Sequence, residues 1–380
     1  MNRSTAVECD ECGTRLAGGE AHFCAGSSLR IVHDEARVRE TFDPDGRPDD
    51  QWRYAPLLPV EAEAAVTLSE GGTALVDAPT LGAGLGVDLS LKLEGANPTG
   101  STKDRGSSVL VTRARAADAE TVACASTGNA AASLAAYAAR GSLACHLFVP
   151  SDVPEAKAVQ PRVYGADVEA VDGSYDDAYD RCRTVAGESG WVDRSAGASP
   201  YTAAGARTLG YELADQTTAV PDWVVVPMGN GGTIAGAWAG FETFATLDFV
   251  PDAPRMLGVQ SERAAAIHES AAGAGGGEPG ETCADSIDVG TPHRRDDALA
   301  AIRDSGGTSV TVSDDAIQDA TIRLGRTEGV FVEPACAAAI AGIERARADG
   351  TIDRGDTVVA VMTGSGLKDT STARQALDRF

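Results

Sequence analysis

Lysine is scarce in this chain, and one lysine stands where an amine could do covalent chemistry. Only Lys92, Lys103, Lys157 and Lys368 occur among the 32 Lys+Arg residues. Lys103 lies in the run Glu94-Gly-Ala-Asn-Pro-Thr-Gly-Ser-Thr-Lys-Asp-Arg-Gly106. Pro98 and Gly100 predict a tight turn, Ser101 can cap, and the pattern through Val109 and Arg113 continues as a helix. Lys103 is therefore expected in the first helical turn. There the positive end of the helix dipole disfavours an ammonium and favours the neutral amine that Schiff-base formation needs. A solvated lysine at a helix start would carry the same local pattern, and the rarity of lysine elsewhere argues against it.

Three further segments could act with such an amine. In Ala125-Ser-Thr-Gly-Asn-Ala-Ala-Ala-Ser133, Ser126, Thr127 and the amides after Gly128 form an anion-binding helix start, the candidate substrate site. Asn129 adds an amide able to bond a ring hydroxyl or carbonyl. Gly229-Asn-Gly-Gly-Thr233 follows a strand and opens a helix, so the amides of Gly229, Asn230, Gly231, Gly232 and Thr233 can crowd onto a phosphate. Its spacing is not that of a dinucleotide fingerprint, which counts against a nicotinamide dehydrogenase. Thr363 brings a hydroxyl to the carboxyl end of a strand, before Gly-Ser-Gly-Leu-Lys-Asp369, where ligands of α/β proteins sit. Jointly these supply what pyridoxal phosphate needs: attachment, ring orientation, a phosphate cradle and a partner for the ring nitrogen.

The elements that must position these residues are legible as short apolar runs alternating with alanine-rich helical stretches. Strands are expected at Leu89–Leu93, Thr121–Ala125, Ala144–Val149, Val168–Val171, Trp223–Pro227, Arg255–Val259 and Thr357–Thr363, with helices such as Ala130–Arg140, Tyr175–Glu188 and Ile234–Thr246 between them. That alternation argues for an α/β fold with parallel sheets. Phe42–Pro59 reads as a linker or arm and Ala271–Gly280 as a surface loop. In the N-terminal segment, Cys9, Cys12, His22 and Cys24 are spaced like half of a zinc ribbon, and Ser27 stands where a fourth cysteine would be expected.

The net charge of −24 and hydrophobic content of 43% exclude a nucleic-acid or membrane-surface binder and describe a folded globular chain. No signal core and no membrane-length apolar run occur, and the eight scattered cysteines read as reduced thiols of a cytoplasmic protein.

On these motifs the chain resembles the threonine synthase branch of the fold type II pyridoxal-phosphate enzymes over roughly residues 55 to 370. The markers are Asn97-Pro-Thr-Gly-Ser-Thr-Lys-Asp-Arg105, the turn ending at Asn129, Lys157-Ala-Val-Gln with Tyr164-Gly-Ala, Gly173-Ser-Tyr-Asp-Asp177, Gly229–Thr233, Glu333-Pro-Ala335 and Thr363–Asp369. The resemblance implies Lys103 as the cofactor-bearing lysine, Asn129 on the ring oxygen, Gly229–Thr233 around the phosphate and Thr363 on the ring nitrogen. It also implies a homodimer of two-lobed subunits, with a large cofactor-binding lobe over 36–105 and 205–380 and a small lobe over 106–204, while the cysteine spacing makes 1–35 a degenerate zinc-ribbon-like segment. The implied reaction is O-phosphohomoserine plus water to threonine plus phosphate. Two departures stand out. Thr102 replaces the family's phenylalanine before the lysine. The family's Asn-Ser-x-Asn-Pro-x-Arg segment, which holds the substrate phosphate, reads Ala196-Gly-Ala-Ser-Pro-Tyr-Thr202. Losing several charge-assisted bonds, each about 1.5–3 kcal/mol, cripples phosphate binding unless Arg194 or Arg207 substitutes. β-Elimination or β-replacement on serine, threonine or a related amino acid therefore stays open, as does a non-catalytic cofactor-binding paralogue.

The acidic, lysine-poor composition predicts a surface hydrated by carboxylates and adapted to high salt. Lowering salt is expected to lower the melting temperature, followed by circular dichroism; full stability without added salt would exclude this adaptation.

Overall fold

A computed structural model of the chain describes residues 4–9, 12–16, 29–46, 49–126, 128–151, 155–273 and 280–377. Two compact units emerge, Met1–Gly72 with Lys103–Glu212, and Thr73–Thr102 with Leu213–Phe380. The chain passes from the second unit back to the first at the peptide bond between Thr102 and Lys103. Among the described residues no helix is long and apolar enough to cross a membrane.

In the first unit, β1 (Thr5–Cys9), β2 (Arg15–Leu16) and β3 (Leu29–His33) form an antiparallel sheet of order β2-β1-β3. Cys9 closes β1, whereas His22 and Cys24 lie outside the described residues. Among the described residues no cluster of three His, Cys, Asp or Glu side chains could hold a metal ion. The expected linker is not one: Gln51–Leu57 is a 3-10 helix that buries Gln51, Tyr54, Ala55 and Leu57. Gln51 Nε2 and Trp52 Nε1 both donate to Glu70 Oε1 at 2.8 Å, and the Tyr54 ring lies 5.5 Å from that of Tyr211.

Of the second unit's strands, β4 (Leu75–Asp77) and β5 (Asp88–Leu93) come first in the chain. The first unit then resumes with β6 (Thr121–Ala125), β7 (Ala144–Pro150), β8 (Asp167–Val171) and β9 (Val192–Asp193), a parallel sheet of order β8-β7-β6-β9. Helices Lys103–Ala116 and Asn129–Gly141 pack against each other beside it, burying Leu110, Val111, Leu134 and Tyr137. Helix Tyr175–Ser189 starts in a capping box, in which the Ser174 hydroxyl accepts from Asp177 N and the Asp177 carboxylate accepts from Ser174 N.

The second unit holds the other strands, β10 (Trp223–Pro227), β11 (Arg255–Ser261), β12 (Thr308–Val312) and β13 (Thr357–Met362). With β4 and β5 they form a sheet of order β12-β11-β10-β13-β5-β4, parallel except at β4. All five residues of β10 are buried, as a continuous Val run on a central parallel strand requires. The alanine-rich helix Pro334–Ala348 fits against this sheet because Gly342 meets Val259, where a Cβ would collide. Ala271 ends the helix Ala266–Ala271, and residues 274–279 of the expected loop lie outside the described ones.

Helix Pro200–Gln216 is locked to helix Lys103–Ala116 by charge. Arg105 and Glu212 are both fully buried, with Nη1 2.9 Å from Oε2. Arg105 Nη1 also donates to Thr208 Oγ1 at 3.1 Å, and Glu212 Oε2 accepts from Gly72 N at 2.9 Å. Removing one partner strands the other charge in the core. Glu212→Ala is expected to cost about 3–5 kcal/mol, read as a lower urea midpoint.

Candidate active site

In the second unit, three neighbouring parallel strands deliver three loops to one sheet edge. β5, β13 and β10 lie side by side in register, so Glu94–Thr102, Thr363–Lys368 and Gly229–Thr233 all leave their carboxyl ends. Glu94, fully buried, anchors the first loop: its carboxylate accepts from Thr73 Oγ1 at 2.6 Å and from Asn97 Nδ2 at 3.0 Å. Gly100, with φ of +88°, turns the chain. The chain then runs antiparallel to Thr363–Ser365: Ser101 bridges Gly364, Ser365 N donates to Gly100 O and Thr102 N donates to Thr363 O, both at 2.9 Å. Lys368 Nζ clips the turn by donating to Thr99 O at 2.9 Å. Lys92 is buried and donates to Thr73 O at 2.6 Å and to Gln216 Oε1 at 2.7 Å. Two of the four lysines thus hold backbone.

Thr363 is half-buried at the end of β13, and its Oγ1 lies 3.4 Å from Cys336 Sγ. Gly364 N donates to the same sulfur at 3.2 Å. Burial pushes the Cys336 thiol up to about 12, so it stays protonated at neutral pH, and its one S–H has two acceptors within 3.4 Å, Gly364 O and the Thr363 hydroxyl oxygen. Sequence reasoning missed Cys336; its place two residues after Pro334, in the Glu333-Pro-Ala marker, was the available signal.

The glycine loop is shaped by its neighbours. Gly231 is left-handed, with φ of +85°, and a Cβ there would meet Arg294 O at 2.7 Å. Asn230 Oδ1 accepts from His293 N at 3.1 Å, and its carbonyl accepts from Arg294 N at 3.0 Å, so Asn230 staples the loop in place. A Cβ on Gly232, by contrast, would meet only Arg294 Cγ at 4.0 Å. Helix Gly232–Thr246 has no acidic residue in its first turn, which leaves the amides of that turn and the dipole to an anion.

In the first unit, Lys103 is the first residue of its helix, as expected, with the buried Thr102 just before it. Ser126 and Asn129 follow β6 at its carboxyl end; Ser126 Oγ accepts from Gly128 N at 3.2 Å, and Asn129 opens its helix half-buried. Thr127 lies outside the described residues. A Cβ on Gly128 would meet nothing within 4 Å, so this turn faces open space. Of the two arginines that could replace the missing donors, Arg194 is 4% exposed and donates to Ser107 Oγ at 3.3 Å. Arg207 instead lies near His33, whose pKa falls to about 3 through burial and then the Arg207 charge.

An amine at a helix start, a glycine loop opening a helix and a neutral hydroxyl at a strand end suit a cofactor-bearing enzyme. Residues 66–364 match the family model described as pyridoxal-phosphate dependent enzyme. The threonine synthase of Methanocaldococcus jannaschii is 39% identical over 97% of this chain and 94% of its own length. That of Mycobacterium tuberculosis is 40% identical over 84% and 88%. Among solved structures, a processed threonine deaminase isoform from Solanum lycopersicum superposes with a TM-score of 0.69 at 24% identity, over 80% of this chain and 82% of that one. Maize serine racemase gives 0.65 at 23%, over 81% and 92%.

The two loop glycines separate structure from ligand. Gly231→Ala is expected to cost about 1–3 kcal/mol in a urea titration, from strain and collision. Gly232→Ala should leave stability within about 0.5 kcal/mol while weakening affinity for a phosphate group, measured by calorimetry.

Proposed function

The chain belongs to the pyridoxal-phosphate dependent enzymes and groups there with the threonine synthases, and from that membership we propose that it converts O-phosphohomoserine and water to threonine and phosphate. The observation that carries the assignment is the pairing of Gly100–Thr102 with Thr363–Ser365. The residue bonded to the Thr363 carbonyl is followed directly in the chain by Lys103.

The residues suit the cofactor. Gly232 leaves the space that a bound phosphate fills, no acid stands in the first turn of either helix that would face an anion, and Thr363 offers a neutral hydroxyl. Lys103 is assigned covalent attachment, Asn129 the ring oxygen, Gly229–Thr233 the phosphate and Thr363 the ring nitrogen; Ser126 and Thr127 are assigned to substrate. Bound pyridoxal phosphate supplies an electron sink that acidifies the protons of an attached amino acid. The Lys103 amine takes the proton from the substrate Cα and later moves protons along the same face. Phosphate leaves from Cγ and water adds at Cβ. The Thr363 hydroxyl, lacking a full negative charge, would hold the ring nitrogen without favouring its protonation and so would temper the sink. We assign the working protein to the cytoplasm as a homodimer, the assembly the resemblance implies, with reduced thiols such as Cys124 and Cys145 kept inside.

The altered Ala196–Thr202 segment favours one competing reading, β-elimination on serine or threonine, which needs no site for a leaving phosphate. Lys103→Ala should lower phosphate release from O-phosphohomoserine by about 10³-fold or more. Threonine appearing with phosphate supports the proposal, whereas a 2-oxoacid and ammonia formed from serine or threonine would replace it with the competing reaction.

A further inference from the structure

Arg194 is a buried cation without a salt-bridge partner among the described residues. It extends β9 by donating its backbone N–H to Ala123 O at 2.8 Å, which carries it along β6 toward the edge where Ser126 sits. Only 4% exposed, its side chain donates through Nε to Ser107 Oγ at 3.3 Å. Ser107 is four residues after Lys103 in the same helix, so the two share a face. No carboxylate among the described residues forms a salt bridge with Arg194. The adjacent Asp193 is engaged by other groups, with Oδ1 accepting from Ser195 N at 2.7 Å and Oδ2 lying 3.4 Å from Arg183 Nη1. The neighbouring thiol and phenol supply no negative charge, since burial pushes Cys124 up to about 12 and Tyr175 upward; the Arg194 charge opposes both shifts, while Asp193 adds to the first and Asp176 to the second.

A buried guanidinium without an anion is costly to keep, and its remaining donors suit a planar or tetrahedral oxyanion. A second unmet donor lies close along the same helix. Thr202, whose backbone carbonyl and methyl pack on Gly106 beside Ser107, has a buried Oγ1 with no hydrogen-bond partner.

We propose that Arg194 binds the anionic group on the substrate's side chain, the phosphate in the reaction assigned above. The proposal rests on that assignment only for the identity of the anion. Arg194 takes over the role for which Ala196–Thr202 lacks donors, and it makes the enzyme selective for an amino acid with an anionic terminus.

The test uses the holoenzyme and variants R194Q, R194K and S107A, with inorganic phosphate, O-phosphohomoserine and threonine as probes in calorimetry. Visible absorbance of the Lys103-bound cofactor checks the functional assignment separately, and melting temperature without ligand checks folding. R194Q should weaken inorganic phosphate and raise the KM for O-phosphohomoserine by about ten- to hundredfold. Its threonine affinity and cofactor band should stay unchanged. R194K should recover part of the loss, and S107A, which keeps the charge but frees Nε, should show a smaller one. Phosphate bound equally by wild type and a folded R194Q would overturn the proposal, as would phosphate that fails to bind wild type, or loss of threonine rather than phosphate affinity.

Discussion

The hydrogen bond from Thr102 N to Thr363 O is the constraint on which the candidate site depends. β5 and β13 are already paired in register, so the short antiparallel run after them adds few contacts, but it fixes where the chain leaves the second unit. Lys103 begins its helix one residue later. Several close approaches serve this join: Gly95 lies against Ser365 N, Gly364 against the Glu333 carboxylate, and Gly100 adopts a φ that a side chain would oppose. Each needs a glycine for a nameable steric reason. Glu94 and Lys368 then hold the loop from within and from its outer side.

The polar interior is arranged so that almost every charge is answered. Glu70 accepts from Gln51, Trp52, Thr67, Leu68 and Tyr137, Glu212 answers Arg105, and Lys92 is met by carbonyl oxygens. Burying ions in this way adds less to stability than its bond count suggests, because desolvation offsets the attraction. What such networks do is fix geometry. Among the described residues, two buried arginines stand outside these networks: Arg194 donates from its side chain to a serine hydroxyl, and Arg113 donates to the Tyr201 hydroxyl with its Nη2 left without a partner.

Much of this organisation could be read from the chain. The seven strand candidates from Leu89–Leu93 to Thr357–Thr363 all correspond to strands, because runs of β-branched residues between glycine turns leave little alternative in a parallel sheet. The position of Lys103 at a helix start followed from proline, glycine and a capping residue within six positions. Less legible were features made by distant partners. Arg105 and Glu212 are 107 residues apart, and neither carries a local sign of its mate. Gln51–Leu57 looked like a linker because its prolines and acidic neighbours dominate the local pattern, whereas the bonds to Glu70 decide its fate. β12 and the helix Pro334–Ala348 escaped notice for a related reason: threonine–serine alternation and plain alanine become informative only when the surface they pack against is known. Cys336 was visible as a letter, but its contact with Thr363 was not.

The lysines, finally, bear on how such a composition is maintained. A guanidinium is broad and flat, and arginine serves wherever a cation meets solvent or a carboxylate. Lys92 and Lys368 each press a compact ammonium onto a peptide carbonyl in a confined place, a job the larger head group fits poorly. A drift that exchanges lysine for arginine across a protein surface would therefore stall at such positions. Lys92 and Lys368 then mark two places where the architecture favours a compact ammonium, and Lys103 marks a third where the chemistry needs an amine.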